Sequence, residues 1–364
     1  MLRLPLPGKL LHCAIGFCIA CPAQIDAMIL TLILFLGSAV AIYLACEYFV
    51  NAIEWCGKHM NLGATAVGSV LAAFGTALPE SAVTFTAVVF GQTAQQKDIG
   101  VGAAMGGPLV LATIAYGVVG LALWLNQKRL KRAGHAVEVD HKRLGHDQLA
   151  FLAIFAVKVT LGLVVFTIKP WLGILFLAAY AIYVWREITA EEIADEEEEL
   201  EPLKIRPGNP NFAWAGLQVV AALGVIALAS HVFVAQLEAI GTALGMAPHL
   251  VALLLSPVAT ELPETMNAII WVRQGKERLA LANISGAMMI QATVPSALGI
   301  FFTPWKFDNT LLVSGVVTAL AIVVLWAMFR RGKVDRRALA CIATLYGLFA
   351  GWLVFGHLLG LPQL

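Results

Sequence analysis

Runs of about 20 apolar residues recur along the whole chain, and they limit its fold more than any other feature. Each run is long enough to cross a bilayer core of roughly 30 Å as a helix. In lipid every backbone N–H and C=O must be satisfied internally, which a helix does by itself. Ten spans are read, at about 27–50, 62–90, 99–125, 149–168, 171–185, 212–234, 247–272, 279–303, 309–329 and 337–358. Of the 364 residues 60% are hydrophobic and 13% charged, more apolar surface than one soluble core of this size can hide. The expected fold class is all-α, a polytopic membrane protein of about ten transmembrane helices with the lipid bilayer as partner. No nucleic-acid partner is expected, and the oligomeric state is left open.

Basic residues orient the spans. With the 126–148 segment cytoplasmic, the loops on that side hold eighteen lysines and arginines, while the opposite loops hold only Lys97, Lys169 and Lys306. The positive-inside rule then places both termini outside. Within residues 1–25, Arg3 and Lys9 precede apolar Leu10 to Ala20, the layout of a signal peptide, with a short first helix or a misassigned start as alternatives. A bacterial inner membrane is the expected location, with a eukaryotic organelle as the alternative. The six cysteines show no zinc spacing and are assigned no chemistry.

The chain is also duplicated. Shifted by 184 positions, it meets itself without a gap from Ala45 to Met105: Glu54 meets Glu238, Gly57 meets Gly241, and Leu78-Pro79-Glu80 meets Leu262-Pro263-Glu264. Each copy holds five spans, an odd number, so the second must be inverted relative to the first. The expected organisation is a first repeat at 26–186, an acidic cytoplasmic linker at 187–211 and a second, inverted repeat at 212–364. The linker's acids, Glu191 to Glu201, lack the ligand alternation and glycine of a calcium-binding loop and are read as a solvated helix end.

The duplicated element carries the chemistry. A glutamate inside a lipid-spanning run is costly and marks a pathway or a site. Proline has no N–H, so Pro79 and Pro263 leave the carbonyls of Gly75 and Ala259 without helical partners. Thr76 lies four before Glu80 and Thr260 four before Glu264, hydroxyl and carboxylate on one helix face, with Glu261 close to that face. Such hard oxygen groups suit calcium, sodium or a proton. The rival reading is a structural kink, weakened by three carboxylates in paired kinks. Glycine-rich Gly100 to Pro108 is read as close helix packing, and His231, opposite Glu47, as a packing histidine sooner than a proton relay.

At these residues the chain resembles the calcium/cation antiporter superfamily, which includes the sodium/calcium exchangers. The first element, Gly75-Thr76-Ala77-Leu78-Pro79-Glu80, is similar to the family's Gly-Thr-Ser-x-Pro-Glu, and Ala259-Thr260-Glu261-Leu262-Pro263-Glu264 is its second copy. The family's last ligand in the following helix falls on Gly107 and Gln291 here. The resemblance implies alternating access around a central cation site, with Glu80 and Glu264 as the main metal ligands. Thr76, Thr260 and Gln291 would add neutral oxygens, with the carbonyls of Ala73 and Pro257. Serines that the family uses for sodium stand here as Ala77, Glu261, Ala103 and Ala287. Sodium coordination should be poorer, and Glu261 adds an acid with no basic residue in the motif helices. Three close acids cannot all ionise cheaply. The expected function is therefore cation antiport, calcium first, against protons or, second, sodium, with Glu261 carrying the coupling proton. The ions are cargo, and no cofactor is expected. A cation channel, or a transport-inactive sensor or structural protein, is the alternative. Enzymatic activity is not expected: there is no His-Glu-x-x-His, and Asp26, Asp98 and Asp308 stand at span edges.

Overall fold

The structure, a computed structural model, describes residues 22–59, 77–130, 134–137, 139–190, 201–208, 210–332 and 334–359. The first-half helices are α1 (Pro22–His59), α2 (Ala77–Phe90), α3 (Ala94–Leu125), α4 (His141–Leu163) and α5 (Gly173–Ala190). The second half has α6 (Phe212–Leu244), α7 (Pro248–Thr260), α8 (Leu262–Arg273), α9 (Glu277–Phe302), α10 (Asn309–Arg330) and α11 (Arg336–Leu358). Among the described residues the only β pairing is one isolated bridge, Ala136 to Asp335. Among the described residues seven helices are long and apolar enough to cross a membrane. With α2, α5 and the α7–α8 pair they account for ten spans in two five-helix repeats. Residues 1–21 of the signal-like segment expected at 1–25, and residues 60–76 with the start of the second span, lie outside the described residues.

Polar residues at the boundaries set where helices start. The side chains of Asp140, Asn211, Asp308 and Asp335 accept from the backbone N–H of Arg143, Trp214, Leu311 and Arg337. Each satisfies an N–H that has no intrahelical partner. The Asp140 cap starts α4 about two turns ahead of the apolar run that marked it in the sequence. Gly245, at φ 65°, closes α6 in the left-handed conformation that glycine adopts without strain.

Packing follows the duplication. α1 lies along α6, with Phe35 stacked on Phe233 at 4.7 Å between ring centroids, and α4 lies along α10. α5 packs on α9 and α11 on α3, two contacts that exchange when the halves are exchanged. α3 and α9 are innermost: 72% and 78% of their most apolar stretches are buried, against 28% for α1 and 22% for α11. The outer helices present Ile33 and Leu36 of α1 and Val220 and Leu228 of α6, the apolar surface a bilayer would cover. His231 is exposed on α6, so the packing role expected for it is not observed.

α3 and α7 touch backbone to backbone. A Cβ on Gly102 would strike the carbonyl of His249, and one on Gly106 the carbonyl of Leu253. Small residues are required there for the helices to approach.

The loops meet as the inverted topology demands. Val137 N donates to Val334 O at 2.9 Å and Arg336 N to His135 O at 3.0 Å, joining two basic loops at one end of the molecule. Lys169 of one sparsely charged loop donates to the carbonyls of Pro304 and Trp305 in another, at 3.0 and 2.8 Å. The linker's last residues dock on α1: Trp55 Nε1 donates to Glu201 O at 2.9 Å, and Lys204 Nζ pairs with Glu47 at 3.1 Å. Linker residues 191–200 lie outside the described residues.

Candidate functional site

The second copy of the motif breaks its helix. α7 stops at Thr260, α8 starts at Leu262, and Glu261 is the joint, at φ −92° and ψ 2°. Pro263 falls in the first turn of α8, where a missing N–H costs nothing, and it cannot bond back to Ala259. The single kinked span expected over 247–272 is thus two helices end to end. The joint keeps two backbone bonds, Glu261 N to Pro257 O at 2.8 Å and Thr265 N to Glu261 O at 3.1 Å. Pro257's carbonyl therefore has one lone pair already engaged. Glu264 sits buried in the first turn of α8, where unpaired N–H groups and the helix dipole favour an anion.

The two halves meet at Thr260. Its Oγ1 lies 2.6 Å from Oε2 of Glu80 on α2, 3.1 Å from the Ser256 carbonyl and 3.3 Å from Oε1 of Glu261. Glu80, Glu261 and Glu264 are each no more than 1% exposed. Oε1 of Glu80 and Oε2 of Glu261 have no hydrogen-bond partner among the described residues. A buried carboxylate oxygen without a partner carries a large desolvation cost.

Gln291 lies midway along α9 and is fully buried. Its side chain rests on Gly107 of α3: a Cβ on that glycine would stand 2.5 Å from Gln291 Oε1. The two positions reached by counting from the duplicated glutamates therefore face each other, and the glycine leaves room for the amide. Gln291 also lies beside Glu261. The structure brings together Glu80, Thr260, Glu261, Glu264 and Gln291, whereas Thr76 and Ala73 lie outside the described residues. No three His, Cys, Asp or Glu side chains among the described residues are close enough to hold a metal ion as they stand.

Three further residues escaped the sequence reading. Thr84 and Ser256 are fully buried, and their hydroxyls have no hydrogen-bond partner among the described residues. They stand four residues after Glu80 and four before Thr260, a helical spacing that would have found both. The third is Lys158 of α4, fully buried, whose ammonium donates to the Ala104 carbonyl of α3.

The sodium/calcium exchanger protein family model matches this chain twice, over residues 30–189 and again over 214–355. The chain belongs to that family. Each match covers one five-helix repeat, so the duplication is a property of the family model as well as of the packing. Inner membrane protein YrbG of Escherichia coli is 23% identical over 342 residues, covering 90% of this chain and 96% of that protein. The H+/Ca2+ exchanger CAX crystal structure superposes with a TM-score of 0.67 at 20% identity, covering 92% of this chain and 85% of that one. The sodium-calcium exchanger NCX_Mj, soaked with 10 mM Na+, gives 0.56 at 20% identity, covering 90% and 99%. These likenesses show the exchanger fold, and family membership makes this a membrane cation antiporter.

Proposed function

We propose that this antiporter exchanges calcium, or a related hard divalent cation, against protons at the buried carboxylates Glu80, Glu261 and Glu264. The observation that carries the reading is the Thr260 hydroxyl, held between a carboxylate of the first half and one of the second. A hydroxyl has one proton to give. At 2.6 Å, within the range of charge-assisted O–H···O⁻ bonds, Thr260 gives it to Glu80. The 3.3 Å contact with Glu261 is then a hydrogen bond only if Glu261 holds a proton and donates it. The arrangement favours a state loaded with at least one proton, with Glu261 as its carrier.

A calcium ion takes six to eight oxygens at roughly 2.3–2.6 Å. The carboxylates would close on it, Glu80 and Glu264 as principal ligands, with oxygens from Thr260, Gln291 and the remaining lone pair of Pro257. Thr76 and Ala73 would contribute from the first motif. Burial makes an empty, fully ionised site prohibitive, so cation and protons replace one another, which is the condition for antiport. The helix broken at Glu261 supports alternating access, since discontinuous helices at the midplane form the sites of inverted-repeat transporters. Sodium is the second counter-ion reading, supported by the family and disfavoured by Ala77, Ala103 and Ala287.

The same reading gives two five-helix repeats at 26–186 and 212–364 joined by a cytoplasmic linker, no enzymatic step and no cofactor. It places the chain in a bacterial inner membrane with both termini external, supported by the charge asymmetry of the loops. The test is calcium uptake into proteoliposomes under an outward proton gradient and, separately, an outward sodium gradient. Proton-driven uptake that Glu80→Gln abolishes is expected. Uptake down a calcium gradient alone, with no counter-ion, would replace the antiporter by a channel.

A further inference from the structure

Lys158 enters the membrane interior from α4 with its side chain fully buried. Its Nζ donates to the Ala104 carbonyl of α3 at 2.7 Å and lies 5.4 Å from the ring centre of Phe155. Ala104 is the carbonyl that Pro108 abandons: in a helix it would accept from the N–H four residues on, and proline has none. Three residues beyond Ala104 is Gly107, on which Gln291 rests. Trp305 Nε1 bonds the Lys158 carbonyl at 3.2 Å and fixes this part of α4. The ammonium is therefore held within one helical turn of the Gly107–Gln291 contact, at the edge of the cation site.

Two charges break the internal symmetry. Glu261 is matched by Ala77 in the first half. Lys158 has no match in the second, because α10, the counterpart of α4, carries no lysine or arginine before Arg330 at its last position. The extra acid of one half is answered by an extra base in the other. Three carboxylates and one ammonium leave two negative charges, the complement of one divalent ion.

We propose that Lys158 is a tethered cation of the transport site, occupying the carbonyl freed by Pro108 and matching the site's charge to a divalent ion. This extends the antiport reading, because it assumes that Glu80, Glu261 and Glu264 form the site. A buried ammonium without a counter-charge costs several kcal/mol, so the lysine and the site's carboxylates depend on each other. A fixed positive charge repels a bound cation in proportion to the cation's own charge. Removing it should tighten binding of a trivalent ion more than that of a divalent one.

The experiment is binding of calcium and of lanthanum to the purified full-length protein in detergent, for wild type, Lys158→Arg, Lys158→Gln and the double variant Lys158→Gln/Pro108→Ala. Lys158→Arg should match wild type. Lys158→Gln should bind calcium at least about tenfold tighter, and lanthanum by the three-halves power of that factor, about thirtyfold. Pro108→Ala returns an N–H to the Ala104 carbonyl, so the double variant separates charge from carbonyl capping and protects against a folding defect. It should keep the tighter, charge-scaled binding. Wild-type affinities in the double variant, or equal or absent binding in all four proteins, would overturn the proposal. The predicted pattern without proton-driven calcium flux would instead sink the antiport reading and leave the role of Lys158 standing.

Discussion

Replacing Thr260 by valine removes one hydroxyl and almost no volume. In the structure that hydroxyl donates to Glu80 at 2.6 Å and lies 3.3 Å from Glu261, while the rest of the side chain is buried. A hydrogen bond to a charged partner is worth about 1.5–3 kcal/mol, and a buried carboxylate robbed of its donor forfeits that amount. If Thr260 also orients Glu80 toward the cation, the loss appears in binding as roughly ten- to a hundredfold weaker apparent calcium affinity. Thr260→Ser retains the hydroxyl and should stay within about threefold of wild type, a difference of well under 1 kcal/mol. The assay is the calcium dependence of uptake into proteoliposomes, with thermal unfolding of each variant to establish that it folds. A folded Thr260→Val variant with wild-type affinity would refute the reasoning, since the bond between the two halves would then do nothing for the cation.

Gly107→Ala puts a Cβ 2.5 Å from Gln291 Oε1, so the amide must move; calcium affinity should fall by about tenfold, on the order of 1–3 kcal/mol of overpacking, and unchanged binding would remove Gln291 from the site. Lys169→Met strips the donor from three carbonyls, those of Val164, Pro304 and Trp305; a loss of about 2–4 kcal/mol is expected in thermal unfolding, with no shift showing that water replaces the ammonium. Asp308 caps α10 and bonds His249 of α7 at 2.8 Å. Burial alone would raise its carboxyl, but the His249 bond, the Leu311 N–H and the His249 charge together hold it below its ordinary 3.8. Its stabilisation is then fully present above about 3.8 and fades as pH falls through the lower folded value. Asp308→Asn should therefore unfold at lower temperature than wild type at neutral pH, and the difference should shrink as pH falls below about 3.8; a gap that stays constant with falling pH would contradict the linkage.

What the sequence revealed depended on how local the signal was. Ten apolar runs and the repeated Leu-Pro-Glu can be read along the chain, because helix length and proline chemistry are properties of neighbouring residues. Counting 27 residues past Glu80 and Glu264 reached Gly107 and Gln291, but only the crossing of α3 and α9 shows that one makes space for the other. The break at Glu261 was half legible: Pro263 announces a disturbed helix, and the backbone bonds on either side decide that it becomes two. Lys158 was the least legible. It reads as one charge inside an apolar run, and its meaning lies in a carbonyl 54 residues earlier that a proline in another helix has left open. Thr84 and Ser256 were within reach of the same i, i+4 spacing that found Thr260 and Glu264.

The most direct test of shared, mutually exclusive occupancy is luminal pH in sodium-free proteoliposomes when calcium is added outside. Prompt luminal alkalinisation is expected as protons leave against entering calcium, and Glu264→Gln should abolish it. Calcium entry at the wild-type rate with no change in luminal pH would contradict it.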